Sequence, residues 1–252
     1  MSYLEGLTRI NEHWFESDDS LEEIEIPDTI VSIGEDAFFD SALYNNPSNW
    51  DDDGVLYIDK WLIKANGNII DCDEYVIKEG TVGIADHAFD GCTNLTNIKI
   101  PNSLKYIGDR SFDTGRCNLL ISDGDGVTYI DKWLIQADKN IIEGKYVIKE
   151  GTVGVADHAF SNCGNLTAVE LPDSVKYIGS SAFCFCYGLE TVTISNSVKK
   201  IGEYVFAMCD LLNEIVFEGT IKEWEDIEKD ENWMIGCVTI SCVDGEIEFS
   251  SF

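Results

Sequence analysis

Proline and positive charge are both scarce in this chain of 252 residues. It has four prolines, and 17 basic residues stand against 47 acids, for a formal charge of −30. No apolar run reaches the roughly 18 residues a membrane-spanning helix needs, so membrane insertion is not expected. No low-complexity tract occurs, and 44% of residues are hydrophobic. Disorder is therefore not expected, and the length suits one large or two ordinary domains. A charge this negative repels phosphate backbones and anionic membrane surfaces, so nucleic acid is not an expected partner. It favours a soluble monomer, or a site for cations or basic partners. The start, "MSYLEGLTRINEHWF", lacks a basic n-region and a long apolar segment. As written it reads as carrying no signal peptide, which suits the cytoplasm; a cropped sequence would suit the cell surface or secretion. G-x-S-x-G, a phosphate-binding glycine loop and H-E-x-x-H are also missing, so no catalytic residue and no cofactor are expected.

What is present is repetition. "VIKEGTVGIADHAF" (Val76–Phe89) returns as "VIKEGTVGVADHAF" (Val147–Phe160). Aligned on one phenylalanine, the chain counts Phe38, Phe89, Phe112, Phe160, Phe183 and Phe206, with gaps of 51, 23, 48, 23 and 23. The unit is 23 residues, and the long gaps are near two units. It reads "LEEIEIPDTIVSIGEDAF" (Leu21–Phe38), then "LTNIKIPNSLKYIGDRSF", "LTAVELPDSVKYIGSSAF" and "LETVTISNSVKKIGEYVF". Alternating apolar positions predict a short strand, ended by Pro27, Pro101 or Pro172. Small residues follow at Gly34, Gly108, Gly179 and Gly202, expected to permit a tight bend. One unit cannot bury its own apolar side, so stacked coils with parallel strands about 4.8 Å apart are expected. The "YIDKWLI" stretches at Tyr57–Ile63 and Tyr129–Ile135 belong to coils of a different pattern.

The pattern "IP.SV..IG..AF..C" resembles the BspA-like leucine-rich repeats of bacterial surface and host-associated proteins, over nearly the whole chain. The ending "FEGTIKEWEDIEKDENWMIGCVTISCVDGEI" is similar to theirs. The resemblance implies a repeat solenoid of about eight coils. It also implies adhesins or interaction modules rather than a defined chemistry. Domains are expected at 1–20 (N-terminal cap), 21–217 (solenoid) and 218–252 (C-terminal cap). Leu4, Leu7, Ile10 and Trp14 at helical spacing predict a helical N-terminal cap. Thr220 with Glu223 predicts a capping box, with Ile221, Trp224 and Ile227 on one helix face. "CVTISC" and "EIEF" around Asp244-Gly245 predict a closing hairpin.

The chemistry-bearing residues fall on the repeat. Cys92, Cys163, Cys186 and Cys209 each lie three residues after a phenylalanine, where Ser41 and Gly115 stand in other coils. Cys72 falls at the leading leucine position. Reduced core cysteines are expected, although adjacent coils would permit disulfides. "CFC" and "CVTISC" lack zinc spacing, and no metal site is expected. His87 and His158 share one repeat position, occupied elsewhere by Asp36, Arg110, Ser181 and Tyr204; solvent exposure is expected there. "NWDDDGVLYIDK" imitates a calcium loop through Asn49, Asp51, Asp53 and Gly54. Lys60 stands where a bidentate Glu is needed, and in the second copy Ile121, Asp123, Asp125, Gly126 and Lys132 fare no better. Aspartate–glycine turns entering strands are expected at Asp53-Gly54 and Asp125-Gly126.

Between the core positions of each strand, residues must face outwards. These are Glu23 and Glu25, Asn97 and Lys99, Ala168 and Glu170, Thr191 and Thr193, and Glu214 and Val216. They are expected to share one sheet face and to bind a protein or glycan, with Glu25 and Glu170 central. Failing that, the side bearing Tyr106 and Tyr177 would serve. The expected function is a non-catalytic binding module for adhesion or host interaction. The alternatives are a spacer within a larger surface protein and a hydrolase on a repeat scaffold.

Overall fold

A computed structural model describes residues 4–67, 74–112, 121–122, 124–140, 142–230 and 232–251. Ile70, Cys72, Gly115 and Asp123 lie outside them. The chain forms two compact units, residues 1–120 and 121–252. Both are stacks of coils, as the period predicts.

In the first unit, strands Val55–Ile58, Trp61–Ala65, Gly83–Ile84 and Tyr106–Ile107 form one sheet. Glu74–Val76 and Asn97–Lys99 pair in parallel as another. In the second unit a seven-stranded sheet runs Glu228–Lys229, Lys200–Ile201, Tyr177–Ile178, Gly154–Val155, Trp133–Ala137, Val127–Ile130, Ile121–Ser122. A six-stranded sheet runs Gly144–Val147, Leu166–Glu170, Thr191–Ile194, Glu214–Phe217, Gly236–Cys242, Gly245–Ser251. The aberrant "YIDKWLI" segments are antiparallel hairpins, Val55–Ile58 with Trp61–Ala65 and Val127–Ile130 with Trp133–Ala137. Asp59 and Asp131 turn them with left-handed backbone. Each hairpin fills the place of an ordinary coil, which accounts for the long gaps.

The phenylalanines are the interior. Phe38, Phe89, Phe112, Phe160, Phe183 and Phe206 are all buried. Phe89 stacks on Phe112 at 5.0 Å, Phe160 on Phe183 at 5.1 Å and Phe183 on Phe206 at 5.6 Å. Truncating a side chain so enclosed costs about 3–5 kcal/mol. The turn around each is held by a third hydrogen-bond ladder. His158, Phe160 and Asn162 donate their N–H groups to the carbonyls of Ser180, Ala182 and Cys184 at 3.0, 2.7 and 2.9 Å. Among the described residues, those two before and two after the phenylalanine take left-handed backbone, as in His158 (φ 56) and Asn162 (φ 65). That alternation aims every second N–H at the next coil.

The glycines of the "IG" step serve a close approach rather than a bend. A β-carbon on Gly34 would stand 2.5 Å from the Glu12 nitrogen, and one on Gly202 2.6 Å from that of Ser180. Gly83 and Gly154 are covered instead by the indoles of Trp61 and Trp133. Trp61 stacks on Tyr106 at 6.0 Å, and Trp133 on Tyr177 at 6.3 Å, each pair nearly parallel.

The N-terminal helix is corrected. Leu4 and Ile10 are buried, but Arg9–Ile10 is a strand paired in parallel with Ser32–Ile33, and Trp14 is exposed. Left-handed backbone at Gly6, His13 and Ser17 is incompatible with a continuous helix. The segment is a further coil, with Phe15 in the phenylalanine place, stacked on Phe38 at 5.4 Å. The strand expected over Leu21–Ile26 is corrected as well: these residues are not in a strand, and the Ile26 N–H is taken by the Asp59 carboxylate at 3.1 Å.

At the other end the helix Ile221–Glu225 carries the predicted capping box of Thr220 and Glu223. Trp224 and Ile227 are buried beneath it, with Ile221 half-buried. Gly236–Cys242 extends the six-stranded sheet in parallel beside Glu214–Phe217, then folds back on Gly245–Ser251 as the predicted hairpin. Lys200, buried, joins this ending to the last coil through Glu228 at 2.6 Å and Asp230 at 2.9 Å. Among the described residues no helix is long and apolar enough to cross a membrane.

Candidate functional site

The six-stranded sheet presents two columns of outward side chains. Strand register sets Lys145, Ala168, Thr191, Glu214, Thr239 and Glu248 side by side. Beside them run Val147, Glu170, Thr193, Val216, Ser241 and Glu246. Alternation in burial separates these from the interior: Val192, Ile194, Ile215 and Phe217 are buried while their neighbours are not. Seven of the twelve side chains in these columns are short: alanine, valine, threonine or serine.

Side chains on it are tied coil to coil. Lys145 Nζ meets Glu170 at 2.5 Å, and Ser241 donates its hydroxyl to Glu214 at 2.7 Å. Thr239 donates to Glu248 at 3.2 Å. In the first unit Glu74 accepts from Asn97 at 2.9 Å and pairs with Lys99 at 2.7 Å. Such exposed pairs contribute less than about 1 kcal/mol each. Their effect is to fix side-chain positions and cancel charge locally.

The structure thus brings Glu170, Thr191, Thr193 and Glu214 together on one sheet. Asn97 and Lys99 lie on the two-stranded sheet of the first unit. Glu23 and Glu25 are exposed but lie on no strand; Glu23 borders an open cleft with Trp14, Phe15, Asp18 and Glu22. The sheet position expected of Glu23 and Glu25 is therefore corrected. Tyr106 and Tyr177, the fallback surface, are half-buried and committed to the tryptophan stacks.

Sequence reasoning missed a duplicated phenol cluster. Tyr57 and Tyr75 hydroxyls are 2.7 Å apart, and Tyr75 donates to Asp51 at 2.7 Å. In the second unit Tyr129 and Tyr146 are 3.1 Å apart, and Tyr146 donates to Asp125 at 3.3 Å. Lys78 sits 4.1 Å from the centre of the Tyr57 ring and Lys149 4.4 Å from that of Tyr129. Burial pushes the Tyr57 phenol up to about 12. Tyr75, Tyr129 and Tyr146 are also raised, with burial the largest cause. These protons are held too tightly for acid–base exchange near neutral pH. The clusters pin each hairpin to the adjoining strand. They also engage the calcium-like loop: Asp51 Oδ1 accepts the Val55 N–H at 2.8 Å, and Asp125 Oδ1 that of Val127 at 2.9 Å. Both loops turn into strands through left-handed Gly54 and Gly126, as expected.

His158 is exposed, but His87 is half-buried with Nε2 3.8 Å from Glu35, so the shared exposure expected of them is corrected for His87. What the position requires is left-handed backbone, which the scatter of residue types accommodates. Asp86, beside it, is buried; burial raises its carboxyl to about 6, against the pull of Arg9 at 3.4 Å and the Asp109 N–H at 2.9 Å. The described cysteines are thiols. Cys186 and Cys209 donate to the Phe160 and Phe183 carbonyls at 3.1 and 3.0 Å. Burial raises Cys163 and Cys209 to about 12, and Cys186 further.

The sequence pattern described as "BspA type Leucine rich repeat region" matches in six copies, over residues 2–47, 63–145 and 139–230. Similar solved structures include a leucine rich cell surface protein from Faecalibacterium prausnitzii A2-165, at 22% identity over 90% of this chain and 62% of that one, with a TM-score of 0.28. A T. pallidum leucine rich repeat protein aligns at 26% identity over 62% and 72% of the two chains, with a TM-score of 0.33. The pneumococcal vaccine antigen PcpA aligns at 14% identity over 94% and 74%, with a TM-score of 0.39. This chain spans under two thirds of the F. prausnitzii protein's length. No curated protein matches it.

Proposed function

We propose that this chain, which belongs to the BspA-type leucine-rich repeat family, is a non-catalytic binding module that takes a protein or glycan on the outward columns of its six-stranded sheet. The observation that supports this reading is the pair of columns itself. A rigid sheet carries hydroxyls of Thr191, Thr193, Thr239 and Ser241 in register, with Glu170 and Glu214 among them. Short polar side chains on a fixed backbone lose little entropy on binding, and hydroxyls donate and accept alike. The interior repeats in residue type from coil to coil while these columns vary, as a surface tuned to a partner would. Adhesion to another cell or to host material is the role such a face would serve.

The test is a panel of polysaccharides and surface proteins offered to the wild type and to Thr191→Lys/Thr193→Lys. Capture by the wild type, lost in a variant of unchanged melting temperature, supports the reading. A panel that captures nothing, or captures both chains equally, contradicts it.

A further inference from the structure

Two coils of the second unit place bulky apolar side chains where the backbone disfavours them. Among the described residues, the backbone two after a core phenylalanine is left-handed at Asp40 (φ 55), Gly91 (φ 80), Asn162 (φ 65), Phe185 (φ 61) and Met208 (φ 57). Glycine, asparagine and aspartate tolerate that conformation; phenylalanine and methionine are strained in it. Both keep apolar surface in solvent, Phe185 at 37% and Met208 at 53% exposure. Tyr187 and Leu211, in the same two turns, are 50% and 54% exposed. The Phe185 N–H donates to the Ala207 carbonyl at 2.9 Å, so Phe185 and Met208 belong to adjoining coils. The Phe185 and Tyr187 rings are 6.1 Å apart. Arg110 (φ 46) and Tyr204 (φ 54) share such backbone two residues before their phenylalanines, so what sets Phe185 and Met208 apart is the exposed apolar surface they add to Tyr187 and Leu211.

The surroundings indicate what would cover this patch. No Lys or Arg occurs from Ser181 to Glu190, or from Glu203 to Glu218, while Glu190, three residues after Tyr187, and Asp210, two after Met208, are exposed. A charge of −30 disfavours a second copy of the chain.

We propose that Phe185, Tyr187, Met208 and Leu211 form a docking patch for a cationic amphipathic peptide segment. Apolar side chains of the segment would seat on the four residues, and its lysines or arginines would reach Glu190 and Asp210. The patch lies on the turns and does not use the sheet columns, so it stands whether or not those bind.

The test is Phe185→Asn/Met208→Asn, which installs at both positions the residue found at Asn162. The probe is a synthetic amphipathic helix of leucine and lysine, compared with a lysine and serine peptide of equal charge. The wild type should bind the leucine peptide at least about tenfold more tightly than the double variant does. The variant's melting temperature should hold or rise, because the strain is relieved. Equal affinity of both chains for the leucine peptide, or equal affinity of the wild type for both peptides, overturns the proposal. A fall in melting temperature would make the side chains structural and overturn it too. Concentration-dependent dimerisation of the wild type that the variant lacks would assign the patch to a second copy, which also overturns it.

Discussion

Asp157 and Gly179 compete for one space: a β-carbon on Gly179 would stand 2.5 Å from Asp157 Oδ1. That oxygen accepts the Ser180 N–H at 2.7 Å, so this aspartate is locked by the glycine of the next coil. Asp86 and Gly108 repeat the arrangement in the first unit, with the Asp109 N–H at 2.9 Å. Gly179→Ala must expel the carboxylate or part the coils, and should cost about 1–3 kcal/mol. An unchanged urea midpoint would contradict this.

Asp86 makes stability pH-dependent. Its carboxyl holds a proton to about 6 in the fold, against an ordinary 3.8. The folded chain therefore binds more protons between these values, so stability falls as pH rises. The contribution is fully present below about pH 4 and is lost as pH rises through about 6, amounting to at most about 3 kcal/mol. The unfolding free energy of the wild type should decline relative to Asp86→Asn from pH 4 to pH 7. Parallel curves would show that burial does not hold that proton.

Thiol reactivity should separate the cysteines by position. Cys163, Cys186 and Cys209 are buried with raised thiols, whereas Cys237 is exposed. Reactivity follows the thiolate. Iodoacetamide at pH 8 should label Cys237 within the folded chain and the other three only after unfolding, as read by peptide mass spectrometry. Early labelling of Cys186 would mean the ladder opens readily.

The period of 23 and the phenylalanine interior were legible because one packing problem recurs in one wording. The N-terminal coil was not: Asn11 replaces the glycine and Trp14 the alanine, which left a spacing that imitates a helix. For the strand columns, alternation told which way Thr191, Thr193 and Glu214 face. It could not tell whether a strand lies alongside Glu23 and Glu25, since pairing depends on the neighbour. The phenol clusters join residues 18 or 24 apart, and 17 or 21 apart in the second unit. Recurrence of Tyr57 as Tyr129 and Tyr75 as Tyr146 was a usable signal. The carboxylates concealed it, because Asp51 and Asp125 are not counterparts in the repeat. The glycines were visible, but their role was not: close approach from another coil leaves no local mark.

Coils stacked in register bring outward side chains against their neighbours one coil away. Carbodiimide cross-linking of the native chain tests this most directly, since it joins an amine to a carboxylate already in contact. Lys145 lies 2.5 Å from Glu170 and Lys99 2.7 Å from Glu74. Mass spectrometry should find isopeptide bonds between Lys145 and Glu170 and between Lys99 and Glu74, and neither after unfolding. Lysines joined instead to carboxylates out of this register, with these two pairs missing, would contradict the stacked-coil structure.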